Sequence, residues 1–265
     1  MTGVLAPYVA FAQKAFAREA TYRVEVFANV GSLVLRVYLV RSLWTALYRQ
    51  NAAPADIPLH AMITYATVAL LMSLILEIDG TGTIREKVRE GTIATDLMKP
   101  ISLPLYFFSD GFGRTVFHAV TIVPSLALAL LLVHVDVPSG AALAAFAISF
   151  AFGYLVNFFL NFLMNVVAFW TLETYAVQLT VRWASDLLSG QILPLAFFPG
   201  LLGAIVANLP FAAIYSTPLR IYIGELPPDA WPGAIAAQAA WLALFAGAAA
   251  VAWRSAERRV VVQGG

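Results

Sequence analysis

The 265-residue chain has no cysteine, and only 12% of its residues are charged. Without thiols it can form no disulfide, thiolate nucleophile or thiolate-ligated metal site, and cysteine usage gives no record of a redox compartment. A formal net charge of +1 offers no basic surface for a nucleic-acid partner. No glycine-rich loop ends in the lysine of a Walker A motif, so the chain has no phosphate cradle of that kind. His60, His118 and His134 are too far apart in sequence to share a zinc ion, and no serine or threonine stands in a nucleophile motif. Catalysis by this chain has little to build on.

What is present is apolar. Hydrophobic residues make up 61% of the chain and group into stretches of about 20, the length that crosses a ~30 Å hydrocarbon core. The chain reads as an all-α polytopic membrane protein. In 1–23, Tyr8, Phe11, Ala12, Ala15 and Phe16 recur at helical spacing opposite Gln13, Lys14, Arg18 and Glu19, which predicts an amphipathic helix lying in the membrane interface. The charges in that run also set it apart from a secretory signal.

Spans are expected at about 24–47, 59–78, 116–133 and 141–169, with a fifth from Tyr175 and a sixth at about 233–253. A polar turn with Asn51, Pro54, Asp56 and Pro58 joins the first two. A charged loop, 79–104, follows the second, and 105–115 mixes aromatics with Asp110 in an expected interfacial stretch. The fifth span is broken by Gly190, Pro194, Pro199 and Gly200, since proline removes a backbone donor and glycine weakens a helix. Prolines through 201–232 point to short re-entrant helices on the outer side. Lys14, Arg18, Arg23, Arg85, Lys87, Arg89, Lys99, Arg114, Arg254, Arg258 and Arg259 fall on one side, against Arg49 and Arg220 on the other. The positive-inside rule then puts both termini in the cytoplasm, with one transmembrane domain over 1–265 and no internal repeat.

Several polar groups stand out against this background. Arg36 lies roughly 18 Å into the first span at ~1.5 Å per residue, a depth where charge needs a partner or a wet cavity, so it is expected to face the interior. It either contacts substrate or is paired for structural reasons. Asn157, Asn161 and Asn165 form an amide stripe that either lines a translocation path or hydrogen-bonds across a helix interface. Phe158, Phe159 and Phe162 beside it read as packed or lipid-facing. Ala239, Ala243 and Gly247 make a small-residue ridge suited to close helix packing. Arg182 and Asp186, spaced i,i+4, read either as a charge-neutralising pair or, together with Glu173, as a small second cytoplasmic contact that moves with a partner.

In the charged loop, Gly91 permits a sharp approach, Thr92 is placed to cap a short helix through Met98, and Pro100 ends it. Glu90, Asp96 and Lys99 would then be available for contacts with a soluble partner, although an ordinary topogenic loop would look the same. Asp79-Gly80-Thr81-Gly82-Thr83 lacks the lysine of a P-type ATPase phosphorylation sequence and reads as a flexible turn.

Glu90-Gly91-Thr92 with Leu97-Met98-Lys99-Pro100, Gly190-Gln191-Ile192-Leu193-Pro194-Leu195-Ala196-Phe197-Phe198-Pro199, and Leu209-Pro210-Phe211 together resemble the permease subunits of ABC-2-type ABC exporters over nearly the whole chain. The resemblance implies six spans, an interfacial N-terminal helix, a coupling helix carried over onto Glu90, Gly91, Thr92, Asp96, Lys99 and Pro100, and outer re-entrant helices. It also implies two separately encoded ATPase subunits that hold the ATP and Mg, with no cofactor in this chain, and a second permease subunit, identical or related. The plasma membrane would be the location. Arg36 and Arg41 make the first span unusually charged for a sterol or lipid-tail path, which favours a polar or amphiphilic substrate. A channel or secondary transporter working without an ATPase is the competing class. A simple anchor would need neither the deep arginine nor the broken fifth span.

Overall fold

The computed structural model describes residues 2–21, 23–50, 57–76, 81–171 and 174–263, and these are all-helical, with no strand among them. In lipid this is the economical solution, because a helix satisfies its own backbone. The elements are α1 (Thr2–Glu19), α2 (Arg23–Gln50), α3 (Leu59–Leu76), α4 (Gly82–Arg89), α5 (Ile93–Leu97), α6 (Leu103–Leu132), α7 (Gly140–Val166), α8 (Tyr175–Leu188), α9 (Gly200–Ala207), α10 (Ser216–Tyr222) and α11 (Trp231–Gln263). The turn with Asn51, Pro54 and Asp56, the Asp79-Gly80 part of the glycine turn, and Glu173 lie outside the described residues.

The segments Leu59–Leu76, Gly140–Phe169 and Pro228–Arg259 are long and apolar enough to cross a membrane. With the other helices they make a multi-pass membrane protein. α2 is 28 residues long, and Arg36 and Arg41 interrupt its apolar character. α6 differs from expectation: 105–115 is no separate interfacial stretch but the first part of one 30-residue helix. The reason is local, since nothing between Leu103 and Pro124 breaks a helix strongly enough. α8 stops after 14 residues, as the break at Gly190 requires. Gly190 has φ +87°, a conformation costly for any other residue, and the hydroxyl of Tyr65 donates to its carbonyl at 2.6 Å.

The main core joins Leu33 and Val37 of α2, Tyr65, Met72 and Leu76 of α3, Val156 and Leu160 of α7, and Ile214 and Leu219 around the start of α10. The short α10 is therefore sunk into the bundle. Its approach is held by Gln238 of α11, whose amide donates to the backbone carbonyls of Ser149 and Ala213 at 3.0 and 2.7 Å and accepts from the Ser149 hydroxyl at 2.9 Å. A second core gathers Ile84, Ile93, Leu103, Phe107, Phe162, Phe169 and Trp253, so α4, α5, the start of α6 and the far ends of α7 and α11 meet at one end of the bundle. At the opposite end of α7, Ser139 caps the helix, its hydroxyl oxygen accepting from the Ala142 amide at 3.3 Å.

α1 packs along the first half of α6. Arg18 grips both oxygens of Asp110 at 3.0 and 3.2 Å, Arg114 adds a third contact to the same carboxylate at 2.9 Å, and Phe16 meets Phe117 edge to face. The crossing is so close at Gly113 that a Cβ there would lie 2.1 Å from the Ala12 carbonyl oxygen. Gly113→Leu is expected to lift α1 away, at the roughly 1–3 kcal/mol that overpacking costs. With no native cysteine to interfere, a short bifunctional thiol crosslink between cysteines placed at Phe16 and Phe117, whose rings meet, reports the contact. It should form in the otherwise native chain and fail in the Gly113→Leu background, and an unchanged yield would refute the close crossing.

Candidate functional site

The amide stripe on α7 is the centre of a connected polar system. Asn161 and Asn165 each donate to the carbonyl four residues back, at 3.0 and 2.9 Å, while Asn157 donates to the Leu76 carbonyl at the end of α3 at 2.7 Å. Asn165, buried, also donates to the Thr81 hydroxyl at 3.0 Å and accepts from the Gln178 amide of α8 at 3.1 Å. Gln178 in turn accepts from the Arg85 guanidinium of α4 at 2.9 Å. Thr81 precedes α4 and Arg85 lies in its second turn, so these four side chains close a ring that joins α4 to both α7 and α8. The stripe thus bonds across helix interfaces, as one of its two readings required, and it also faces open space.

That space is a cavity of about 420 Å³ between α7, α8 and the start of α4. All three asparagines line it, together with Arg85, Gln178, Arg182, Ser185 and Asp186, while Leu160, Met164 and Leu179 supply apolar wall. Two guanidiniums face one carboxylate, a surface suited to a polar or anionic group backed by an apolar one. Arg182 and Asp186 do not close the ion pair that their spacing allows; each opens onto the cavity instead. Arg85, Gln178 and Thr81 were not singled out for this site from sequence. The i,i+4 arrangement of Thr81 and Arg85 around a helix start was the available signal, and it is weak without knowledge of what lies opposite.

The α4–α5 hairpin turns at Gly91, whose φ of +74° gives the expected sharp approach. Thr92 precedes α5 but does not cap it. Its backbone is already helical, and its hydroxyl donates back to the Lys87 carbonyl. Asp96 also departs from expectation. It is buried, not available to a partner, and is held by both Lys87 and Lys99. Burial alone would push its carboxyl up, but the two ammonium groups outweigh it and hold the carboxyl below its ordinary value, while Asp96 raises the Lys99 ammonium in return. Ile84 and Ile93 seat the hairpin in the second core, which leaves Glu86, Arg89, Glu90, Gly91, Thr92, Met98, Lys99 and Pro100 on its outer face, with Met98 81% exposed.

The other expected site residues lie elsewhere. Arg36 is exposed on the surface of α2, near the middle of that helix, and does not face the interior of this subunit. Position along the helix was legible, but its azimuth was not. On α11 the face packed against α7 carries Gln238, Ala249, Trp253 and Ala256, whereas Ala243 and Gly247 of the small-residue ridge are exposed, and a Cβ on Gly247 would meet nothing within 4 Å. No helix of this chain uses that ridge for close approach among the described residues.

Replacing Asn165 by leucine removes its bonds to the Thr81 hydroxyl and to the Gln178 amide, which keeps a longer bond to the Thr174 hydroxyl at 3.4 Å, and should cost about 1 kcal/mol for each bond lost. In a double-mutant cycle with Gln178→Leu, thermal unfolding in mild detergent should give a coupling near the ~0.6–1.7 kcal/mol of membrane side-chain bonds. Strictly additive losses would mean the ring is not a unit. Because Asp96 titrates lower in the folded chain than its ordinary value of ~4, its contribution is complete above that value and disappears as the pH falls through the folded one. Hydrogen exchange of 82–97, corrected for intrinsic rates, should therefore stay protected down to about pH 4 and rise only below it. Asp96→Asn should remove that acid dependence.

The sequence pattern described as ABC-2 family transporter protein matches residues 35–264, nearly all of the helical bundle including the hairpin, the amide stripe and α11. No curated protein and no solved structure matches the chain. The family is a membrane component of transporters that associate with ABC ATPase partners. The chain belongs to the ABC-2 transporter family and is a permease component of an ABC transporter.

Proposed function

We propose that this permease exports a polar or amphiphilic molecule, of drug-like, lipid or glycan class, out of the cytoplasm or inner leaflet, driven by two separate ATPase subunits that bind the ATP and Mg. The observation that carries the reading is the ring of Thr81, Asn165, Gln178 and Arg85, because it connects a surface hairpin to the helices around a polar cavity. A partner that pushes on α4–α5 moves Arg85 and Thr81, and those two are hydrogen-bonded to α7 and α8. Closure of an ATPase pair would thereby reach the cavity wall without any long-range relay. The lining of amides, guanidiniums and a few apolar side chains favours a substrate with a polar or anionic group on an apolar body.

In this reading α2, α3, α6, α7, the broken segment that begins with α8, and α11 are the six spans, α1 lies at the inner interface, and α9 and α10 are re-entrant on the outer side. Both termini are cytoplasmic at the plasma membrane, because the hairpin lysines and arginines and the arginines closing α11 share one end of the bundle. Arg36 supports a paired assembly. A guanidinium exposed midway along α2 is expensive against lipid, so a second permease subunit, identical or related, is the natural cover for that face. A path between the two subunits would bring Arg36 to the substrate.

The test is purification of the tagged chain from its native membrane in mild detergent, with mass spectrometry of what accompanies it and an assay of ATP hydrolysis. An ATPase subunit in stoichiometric amount with measurable activity is expected; a lone chain, after crosslinking before solubilisation, would move the function to a channel or secondary transporter. Glu90→Lys combined with Met98→Asp, both on the outer face of the hairpin, should cut recovery of the ATPase subunit at least tenfold, which is ~1.4 kcal/mol or more. Arg85→Leu should leave the complex intact while separating ATP use from transport. If both variants export normally, the hairpin is not the drive shaft.

A further inference from the structure

On the other side of α7 from the amides, a groove of about 650 Å³ runs between α6, α7 and α11. Its walls are Phe108, Phe158, Phe159, Phe162, Trp253 and small alanines of α11. Phe158, Phe162 and Trp253 are buried and form its back, and Phe108 meets Phe158 edge to face at 5.0 Å, so aromatic side chains bridge helices whose backbones stay apart. The volume falls within the roughly 300–1,000 Å³ of small-molecule sites. α7 and α11 are both apolar enough to cross a membrane, so what surrounds this groove is hydrocarbon chain.

One end is charged. Arg254 and Glu257 lie at the rim, with Ser102. The Glu257 carboxylate accepts from the Trp253 indole N–H, and Arg254 is exposed with no ion pair or hydrogen bond among the described residues. Arg258, one turn further along α11, is exposed as well. The rim itself carries one guanidinium and one carboxylate that already has a donor, and Arg258 and Arg259, exposed further along the helix, leave this end of α11 positive. An apolar slot that ends at a guanidinium without a partner among the described residues, on the positive end of α11, matches one occupant in chemistry and shape: an acyl chain in the slot with its anionic headgroup at the guanidinium. We infer that this groove is a binding site for an anionic phospholipid, held by Arg254 at the headgroup and by the phenylalanine wall along the chain.

The site needs neither an ATPase nor a transported substrate to be filled, so its test is independent of the export reading. The purified full-length chain is delipidated in mild detergent, then given equal dioleoylphosphatidylglycerol and dioleoylphosphatidylcholine, and retained lipid is counted by native mass spectrometry. The native chain should keep the anionic lipid about fivefold over the zwitterionic one, the ratio expected of one basic side chain near a phosphate. Arg254→Gln should bring the ratio close to one while some of both lipids remains. Ala250→Trp, which projects from an exposed position on the groove wall, should lower retention of both. Equal retention by the native chain overturns the assignment. So does a preference that survives both substitutions while the variants melt normally, since the lipid would then sit elsewhere.

Discussion

Everything that makes this bundle more than a stack of apolar helices depends on polar groups satisfying one another where water is scarce. The ring through Asn165 is the central case. Its amide uses both ends, donating to Thr81 and to the Asn161 carbonyl and accepting from Gln178, and Gln178 returns the connection to α4 through Arg85. In a medium of low dielectric each such bond is stronger than in water, and each missing partner is more costly. The ring therefore has few alternative arrangements. A displacement of α4 has to be followed by α7 and α8 or be met by the loss of several bonds at once, and this converts a surface hairpin into a part of the cavity wall.

The same requirement explains how a broken stretch of chain is tolerated inside the bundle. After α8 the backbone leaves the helical path at Gly190 and returns as short pieces, leaving carbonyls without helical partners. Tyr65 takes the Gly190 carbonyl and Gln238 takes that of Ala213. Both donors come from long neighbouring helices, so the irregular segment is positioned by its rigid surroundings. Non-helical backbone at such depth is stable where protein covers it, and Ile214 and Leu219, fully buried beside these contacts, show that it is covered.

How much of this was readable from the residues depended on whether the property was one-dimensional. The helical class, the hairpin turn at Gly91, the break at Gly190 and the face shared by Asn157, Asn161 and Asn165 follow from backbone chemistry or from helical period, and the folded chain has all of them. What failed needed a direction in space. Asp96 reads as an exposed loop carboxylate until Lys87 and Lys99 are seen to close over it. Arg36 reads as an interior charge by its depth, yet its turn of α2 faces outward. The small-residue ridge of α11 has the right spacing for packing, but Trp253 and Gln238 define the packed face, and the ridge lies on another. Gln238 itself escaped notice because a single glutamine among alanines carries no pattern. The continuity of α6 was missed for the opposite reason: Asp110 and Arg114 resemble a surface stretch until Arg18 and Glu19 of α1 are brought against them.

α7 emerges as a partition with different chemistry on its two sides. Because successive residues on a helix are about 100° apart, Asn157, Asn161 and Asn165 stay on one face while Phe158 and Phe162 fall on another, and the intervening width of the helix is all that separates the polar cavity from the aromatic groove. Thr81, Gln178 and Arg85 act on the first face; Phe108 and Trp253 pack against the second. A rotation of α7 that withdrew its asparagines from the cavity would swing its phenylalanines within the groove. A group wedged against Phe158 and Phe162 would oppose such a rotation, because those side chains have to sweep through the space it fills. The two spaces share a single helix as their common wall.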